Sequence, residues 1–185
     1  VIRNNLTGIQ NTNTGGWGSY GIVISGTAGT IGTLLANNFI SDMLGSNYFS
    51  GTTFHAYGIR LSGGFNTRVY NNSINFFGPV TGGTSASNSA NLIITSTLAQ
   101  GTEIRNNIFR NTQEFAISGS NTYNVYAIAG IEFTAINNNV YSGVGNANTT
   151  YNVGFDGVAR TSLAAWQSAT AVSYTHLTLP TICSV

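Results

Sequence analysis

The sequence predicts an all-β fold in which short parallel strands stack as a solenoid, and three observations carry that reading. An Asn-Asn pair recurs at Asn4-Asn5, Asn37-Asn38, Asn71-Asn72, Asn106-Asn107 and Asn138-Asn139, with spacings of 33, 34, 35 and 32 residues. An apolar residue lies two positions before each pair (Ile2, Leu35, Val69, Ile104, Ile136). Three positions after the first Asn come Thr7, Ile40, Ile74, Phe109 and Tyr141, four of them large and apolar or aromatic. Short β-branched runs bounded by Gly, Asn or Ser sit between the pairs, which is how strands read. Finally, no stretch of about 10–12 residues sustains a 3.6-residue apolar period, so helices are brief at most.

Taken in order, the chain enters at Ile2 to Ile9, already inside a repeat unit. Gly21-Ile22-Val23-Ile24-Ser25-Gly26 is the first run between pairs, and Gly58-Ile59-Arg60-Leu61-Ser62-Gly63 is the second. Asn91-Leu92-Ile93-Ile94-Thr95 and Tyr126-Ala127-Ile128-Ala129 complete the series. Gly78 to Ala90 is rich in Gly, Ser and Thr and is expected to be a loop extruded from one turn. Ser162 to Thr170 is the one plausible short helix. Strands of a sandwich need not resemble one another at fixed spacing, whereas stacked coils must, because equivalent positions lie above one another. Coils about 4.8 Å apart turn a repeated residue type into a ladder. Asn suits the turns, since it tolerates left-handed backbone and its amide can bond from coil to coil. The expected architecture is a right-handed parallel β-helix of about four to five coils, open at both ends, with Ile, Val, Leu and Phe filling the tube.

Composition narrows the function. Only 6% of the 185 residues are charged, all six cations are Arg, and the net charge is +1, whereas Asn and Thr number 24 each. So weak a field argues against nucleic acid or an anionic membrane surface as partner, and no apolar run approaches the roughly 18 residues of a membrane helix. Hydrophobic residues at 42% and aromatics at 11% are enough for a core.

The pattern running from Tyr57 to Ile74, with Gly58-Ile59, Leu61-Ser62-Gly63, Asn66, Val69, Asn71-Asn72 and Ile74, resembles the parallel β-helix repeat of pectin-lyase-like proteins. Asn138-Asn139-Val140-Tyr141 followed by Thr161 to Thr170 is similar to the end of β-helix domains in large secreted or surface proteins of the Bacteroidetes. The resemblance covers residues 1–171 and implies an extracellular or cell-surface location. Residues 172–185 read otherwise. Val172 to Thr181 resembles the translation of adapter DNA used in transposase-based sequencing libraries, so 172–185 is set aside as an artefactual tail. Cys183, His176 and Pro180 go with it. The remaining segment has no Cys and no Lys, which excludes disulfides, thiolate metal sites and Schiff-base chemistry there.

The resemblance implies that any enzyme here would be a polysaccharide lyase or hydrolase, the classes most often built on this fold, and a glycoside hydrolase needs two carboxylates about 5–9.5 Å apart. The acids are Asp42, Glu103, Glu114, Glu132 and Asp156. Glu103 and Glu132 lie near corresponding phases of neighbouring repeats and are the catalytic candidates. The favoured reading of each is a solvated strand-edge charge, paired with Arg105 or Arg110. A calcium-assisted lyase site would need an acidic cluster that the sequence lacks, so no metal and no cofactor is expected. His55 has no second His or Ser/Asp constellation around it. Arg60 and Arg68 flank one strand-turn unit, where they bind an acidic sugar or form a solvated face. Aromatics offer the ligand-binding candidates: Trp17 and Tyr20 in the Gly-rich connection 13–20, and Tyr48 and Tyr57, with Phe49 and Phe54, in the equivalent connection of the next coil. Such rings stack on sugars or seal the tube. The leading expectation is a non-catalytic structural or adhesive segment contacting extracellular polysaccharide. The alternative is part of a polysaccharide lyase or glycoside hydrolase whose catalytic residues lie partly elsewhere.

Overall fold

A computed structural model describes residues 1–11, 18–27, 32–45, 54–81 and 85–170. The chain winds through three parallel sheets in rotation. It passes through β1 (Asn5–Asn11), β2 (Ser19–Ile24) and β3 (Leu34–Ala36), then β4 (Phe39–Gly45), β5 (Phe54–Leu61) and β6 (Arg68–Tyr70). It continues through β7 (Ser73–Val80), β8 (Asn88–Ile94) and β9 (Thr102–Arg105), then β10 (Ile108–Phe115), β11 (Ser120–Ala127) and β12 (Phe133–Asn137). It closes with β13 (Val140–Gly143), β14 (Thr149–Asp156), the short β15 (Ala159–Arg160) and helix α1 (Leu163–Thr170). The first sheet runs β1-β4-β7-β10-β13, the second β2-β5-β8-β11-β14-β15, and the third β3-β6-β9-β12. This is an all-β parallel solenoid. The stretch 78–90, expected to be one loop, is trimmed at both ends because β7 runs to Val80 and β8 begins at Asn88.

The turn from the third sheet back to the first is built on asparagine. Asn37, Asn71, Asn106 and Asn138 sit at φ between 54 and 57°, in the left-handed region that Asn tolerates better than other side-chain-bearing residues. Each turns the chain from the third sheet into the first and directs the following Asn inward, burying Asn38, Asn72 and Asn107 and half-burying Asn139. Asn38 Nδ2 donates to Asn72 Oδ1 at 2.8 Å, and the Asn38 backbone N–H reaches the same oxygen at 3.0 Å. Asn72 repeats both bonds to Asn107 at 2.9 Å, and Asn107 repeats them to Asn139 at 2.9 Å. The second amide hydrogen points to the preceding coil: Asn72 Nδ2 to Leu35 O at 3.0 Å, Asn107 Nδ2 to Val69 O at 2.9 Å. Every ladder rung in the middle of the stack thus satisfies its own polar atoms and two backbone groups.

The first pair departs from the expected alignment. Asn4, not Asn5, joins the ladder, donating through Nδ2 to Asn38 Oδ1 at 2.8 Å, and Asn5 is in register with Phe39. Arg3 takes the left-handed position at φ 59°. Consequently Ile2 pairs with Ala36 and is 49% exposed, whereas Leu35, Val69, Ile104 and Ile136 are fully buried. The same slip places Leu6 opposite Ile40 and Thr7 opposite Ser41. The fifth apolar member of that column is therefore Leu6.

Leu35, Val69, Ile104 and Ile136 from the third sheet meet Ile40, Ile74 and Phe109 from the first and Ile59, Leu92 and Val125 from the second in one continuous core. Each such side chain contributes about 1.5–3 kcal/mol of burial. A second polar system runs inside. Asn124 Nδ2 donates to Asn91 Oδ1 at 2.9 Å and to Ser142 O at 3.2 Å, and Asn91 Nδ2 donates to Arg110 O at 3.1 Å. Both amides tie the second sheet to the first. At the C-terminal side, β15 pairs antiparallel with β14, so the edge of the second sheet is partly covered. Ser162 precedes helix α1 and caps it, its Oγ accepting from Ala165 N at 3.2 Å. The helix lays the fully buried Trp166 over Gly154, where an added Cβ would come within 2.2 Å of the indole.

Replacing Asn72 by Ala strands the Asn38 N–H and the Leu35 carbonyl in the interior, and should cost about 2–4 kcal/mol in chemical denaturation. Asn71 works through its backbone alone, so Asn71→Ala should cost about 1–2 kcal/mol and Asn71→Gly almost nothing. Equal losses at the two Asn positions would overturn this division of labour.

Candidate functional site

Tyr20 and Tyr57, expected on loops, lie within strands β2 and β5. Trp17 and Tyr48 fall outside the described residues. Strand alternation explains the placement, with one break. Asn91 and Leu92, like Asn124 and Val125, both turn inward, which leaves Ala90 and Ile93, and Tyr123 and Tyr126, on the outer face. The registers then form two outer columns, Tyr20–Tyr57–Ala90–Tyr123 and Val23–Arg60–Ile93–Tyr126–Phe155.

This outer face is a small hydrophobic core of its own. Tyr20 and Tyr57 stack at 4.1 Å between centroids and 7° between planes, and Tyr126 and Phe155 stack at 4.4 Å and 0°. Phe54 packs edge-on to Tyr126 at 4.8 Å. Phe54, Tyr57, Ile93 and Tyr123 are buried, while Tyr20, Tyr126 and Phe155 are half-buried. Arg60 lies across it, with Nη1 donating to Tyr57 Oη at 3.1 Å and Nε to Thr95 Oγ1 at 3.3 Å. Burial, reinforced by Tyr20, pushes the Tyr57 hydroxyl up to about 12 despite Arg60. The face therefore presents neutral phenol hydroxyls and ring edges, since the stacked rings cover each other's faces. Tyr123, Tyr126 and Phe155 were not singled out from sequence. The 33-residue steps Ala90–Tyr123 and Ile93–Tyr126 carried the signal.

The catalytic candidates lie elsewhere. Glu103, on β9, accepts from Tyr70 Oη and pairs with Arg105 Nη2 at 3.2 Å, both through Oε2. Glu132 is exposed; its carbonyl accepts from Gly101 N at 2.9 Å, while Glu103 is in register with Ala135. The two acids thus differ in register by two positions along the third sheet. Glu132 and Asp156 both line a cavity of about 470 Å³ beside α1, among Ile128, Ile131, Phe133 and Thr170. Asp156 is engaged there by Arg160, with contacts of 2.9 and 3.1 Å. Among the described residues, no three His, Cys, Asp or Glu side chains group to hold a metal ion.

His55, at the start of β5, is buried against β4 and β10 of the first sheet. Nδ1 lies 3.2 Å from Gly45 O and Nε2 lies 3.4 Å from Gln113 Oε1, while Gln113 Nε2 donates to Met43 O at 2.8 Å. Both neighbours are acceptors, so a neutral ring donates to only one of them. A charged ring would donate to both, but no carboxylate pairs with it among the described residues. Burial dominates and lowers its pKa to about 4. Such a residue is a packing element with no access to substrate.

No family model matches the chain, and neither a curated protein nor a solved structure matches it significantly.

The histidine carries a pH prediction. Its folded-state pKa lies below the unfolded value of 6.5, so its neutral form contributes stability fully above that pH. The contribution declines as pH falls from 6.5 towards 4, by about 3 kcal/mol in all. Urea titrations of the wild type and of His55→Leu should therefore diverge in pH slope over that window, with the variant flatter. Parallel slopes would show that His55 is not the group responsible.

Proposed function

We propose that the chain is a non-catalytic structural and adhesive β-solenoid segment of a secreted or cell-surface bacterial protein, contacting extracellular polysaccharide. The observation that supports this best is the state of its carboxylates. Glu103 is occupied by Tyr70 and Arg105, Glu132 stands two positions out of register with it, and of the two acids that share the cavity beside α1, Glu132 and Asp156, the second is engaged by Arg160. A hydrolase needs one carboxyl free to donate a proton and a second placed across the scissile bond. One continuous asparagine ladder, the interior amide pair Asn91 and Asn124, and three stacked sheets suit the load-bearing role of a stalk. The resemblance of the 57–74 pattern to pectin-lyase-like repeats, and of the closing stretch to Bacteroidetes surface proteins, supports the lineage and the location. The strand faces, rich in Tyr, Asn and Thr, offer the neutral hydroxyls and amides that sugars bond.

Incubation with a panel of plant and bacterial polysaccharides should release neither reducing ends nor unsaturated products above the buffer rate. The chain should nonetheless sediment with at least one insoluble member of the panel. Turnover that disappears in Glu103→Gln or Glu132→Gln would establish the enzyme reading instead.

A further inference from the structure

The third sheet carries a cluster that the carboxylate argument leaves unused. The chain has only 11 charged residues in 185. Three of them, Arg68, Glu103 and Arg105, fall within the seven residues of the two adjacent strands β6 and β9. Register makes them a block of four with Tyr70: Arg68 lies opposite Glu103, and Tyr70 opposite Arg105. Tyr70 Oη and Arg105 Nη2 both bond to Glu103 Oε2. Those two contacts hold the carboxylate in place and leave Oε1 to accept from elsewhere. Arg68 is exposed and has no carboxylate partner among the described residues. Below Tyr70 in its column stands the small Ala36, so no second ring is stacked there as Tyr20 is on Tyr57.

We propose that Arg68, Tyr70, Glu103 and Arg105 form a binding subsite for an uncharged sugar residue of a glycan. The inference rests on the polysaccharide-contact reading above and names where that contact is made. A carboxylate with one open oxygen accepts from a sugar hydroxyl, and the neighbouring guanidinium donates to the next one. A lone half-buried tyrosine supplies the flat apolar surface on which a pyranose ring packs. The second sheet lacks this combination, because its rings stack on one another. Glu103 at the centre of the block opposes the carboxylate of an acidic sugar while the unpaired Arg68 opposite it attracts one, and an acidic probe separates the two effects.

The test is binding of the 185-residue chain to laminarin, xylan and dextran as neutral probes and to polygalacturonate as the acidic probe, with thermal unfolding recorded for every variant. The wild type should bind a neutral probe. Tyr70→Phe and Glu103→Gln, which preserve shape, should each weaken that binding about tenfold without moving the unfolding midpoint. Arg110→Ala, which removes a cation from the first sheet, should leave it unchanged. Neutral-probe binding retained in Tyr70→Phe and Glu103→Gln would overturn this site but not the glycan reading. Binding of polygalacturonate alone would overturn the uncharged ligand. No binding to any probe would overturn both the site and the polysaccharide contact.

Discussion

The rest of the structure depends on one constraint: the carboxamide facing the interior at the turn into the first sheet must have every hydrogen bond made. Unpaired buried amides and carbonyls cost about 1–3 kcal/mol each. Asn meets the condition because its oxygen accepts from both the backbone and the side chain of the preceding rung. Its nitrogen then bonds the next rung and a carbonyl of the previous coil. Closure in both directions leaves no tolerance for a shifted strand. A slip of one residue would bury Asn71 or Ser73 in place of Asn72 and would turn Ile74 outward. The ladder therefore fixes the register of β4, β7, β10 and β13, and through the connecting strands that of the other two sheets.

Much of this was legible because stacking forces equivalent residues to recur. Four of the five Asn pairs, and Leu35, Val69, Ile104 and Ile136, sit where the periodicity puts them. The first pair misled because the adjacent Asn4 and Asn5 offer two alignments. The tie was broken by Leu6 and Thr7, since only the alignment through Asn4 completes the apolar column Leu6–Ile40–Ile74–Phe109–Tyr141. The interior amides Asn91, Asn111, Gln113 and Asn124 were not legible. A polar residue in a strand reads as outward until its partner is known, and here the partners are carbonyls and side chains on the facing sheet or, for Gln113, on another coil of its own sheet. The outer columns were hidden for a related reason. The break in alternation at Asn91-Leu92 and Asn124-Val125 moves Ile93 and Tyr126 to a face that strict period two would not assign them.

Few charges go with many amides. Two ion pairs are present among the described residues, Glu103–Arg105 and Asp156–Arg160, both at least partly exposed, and surface pairs of this kind contribute little. Cohesion comes instead from burial, from the ladders and from the parallel backbone bonds. That balance costs little electrostatically on association with a neutral surface, because few ions must be desolvated. It is a poor balance for catalysis by charge, which needs titratable groups held apart in differing environments.

The aromatic residues show how the same stacking rule limits function. Coils spaced about 4.8 Å apart bring rings in one column to face-to-face distance. Tyr20 with Tyr57, and Tyr126 with Phe155, accordingly satisfy each other. A ring remains available to a ligand only where its column neighbour is small or polar. Tyr70 has such neighbours on both sides, between Ala36 and Arg105; Tyr123 does too, between Ala90 and Asn152, but Phe54, Tyr126 and Phe155 pack around it and bury it. In a solenoid the accessible ring is thus selected less by the aromatic itself than by its surroundings, the residue one coil away and the side chains beside it on the same face. Those surroundings are what allow a binding surface to arise on an otherwise self-sealing rod.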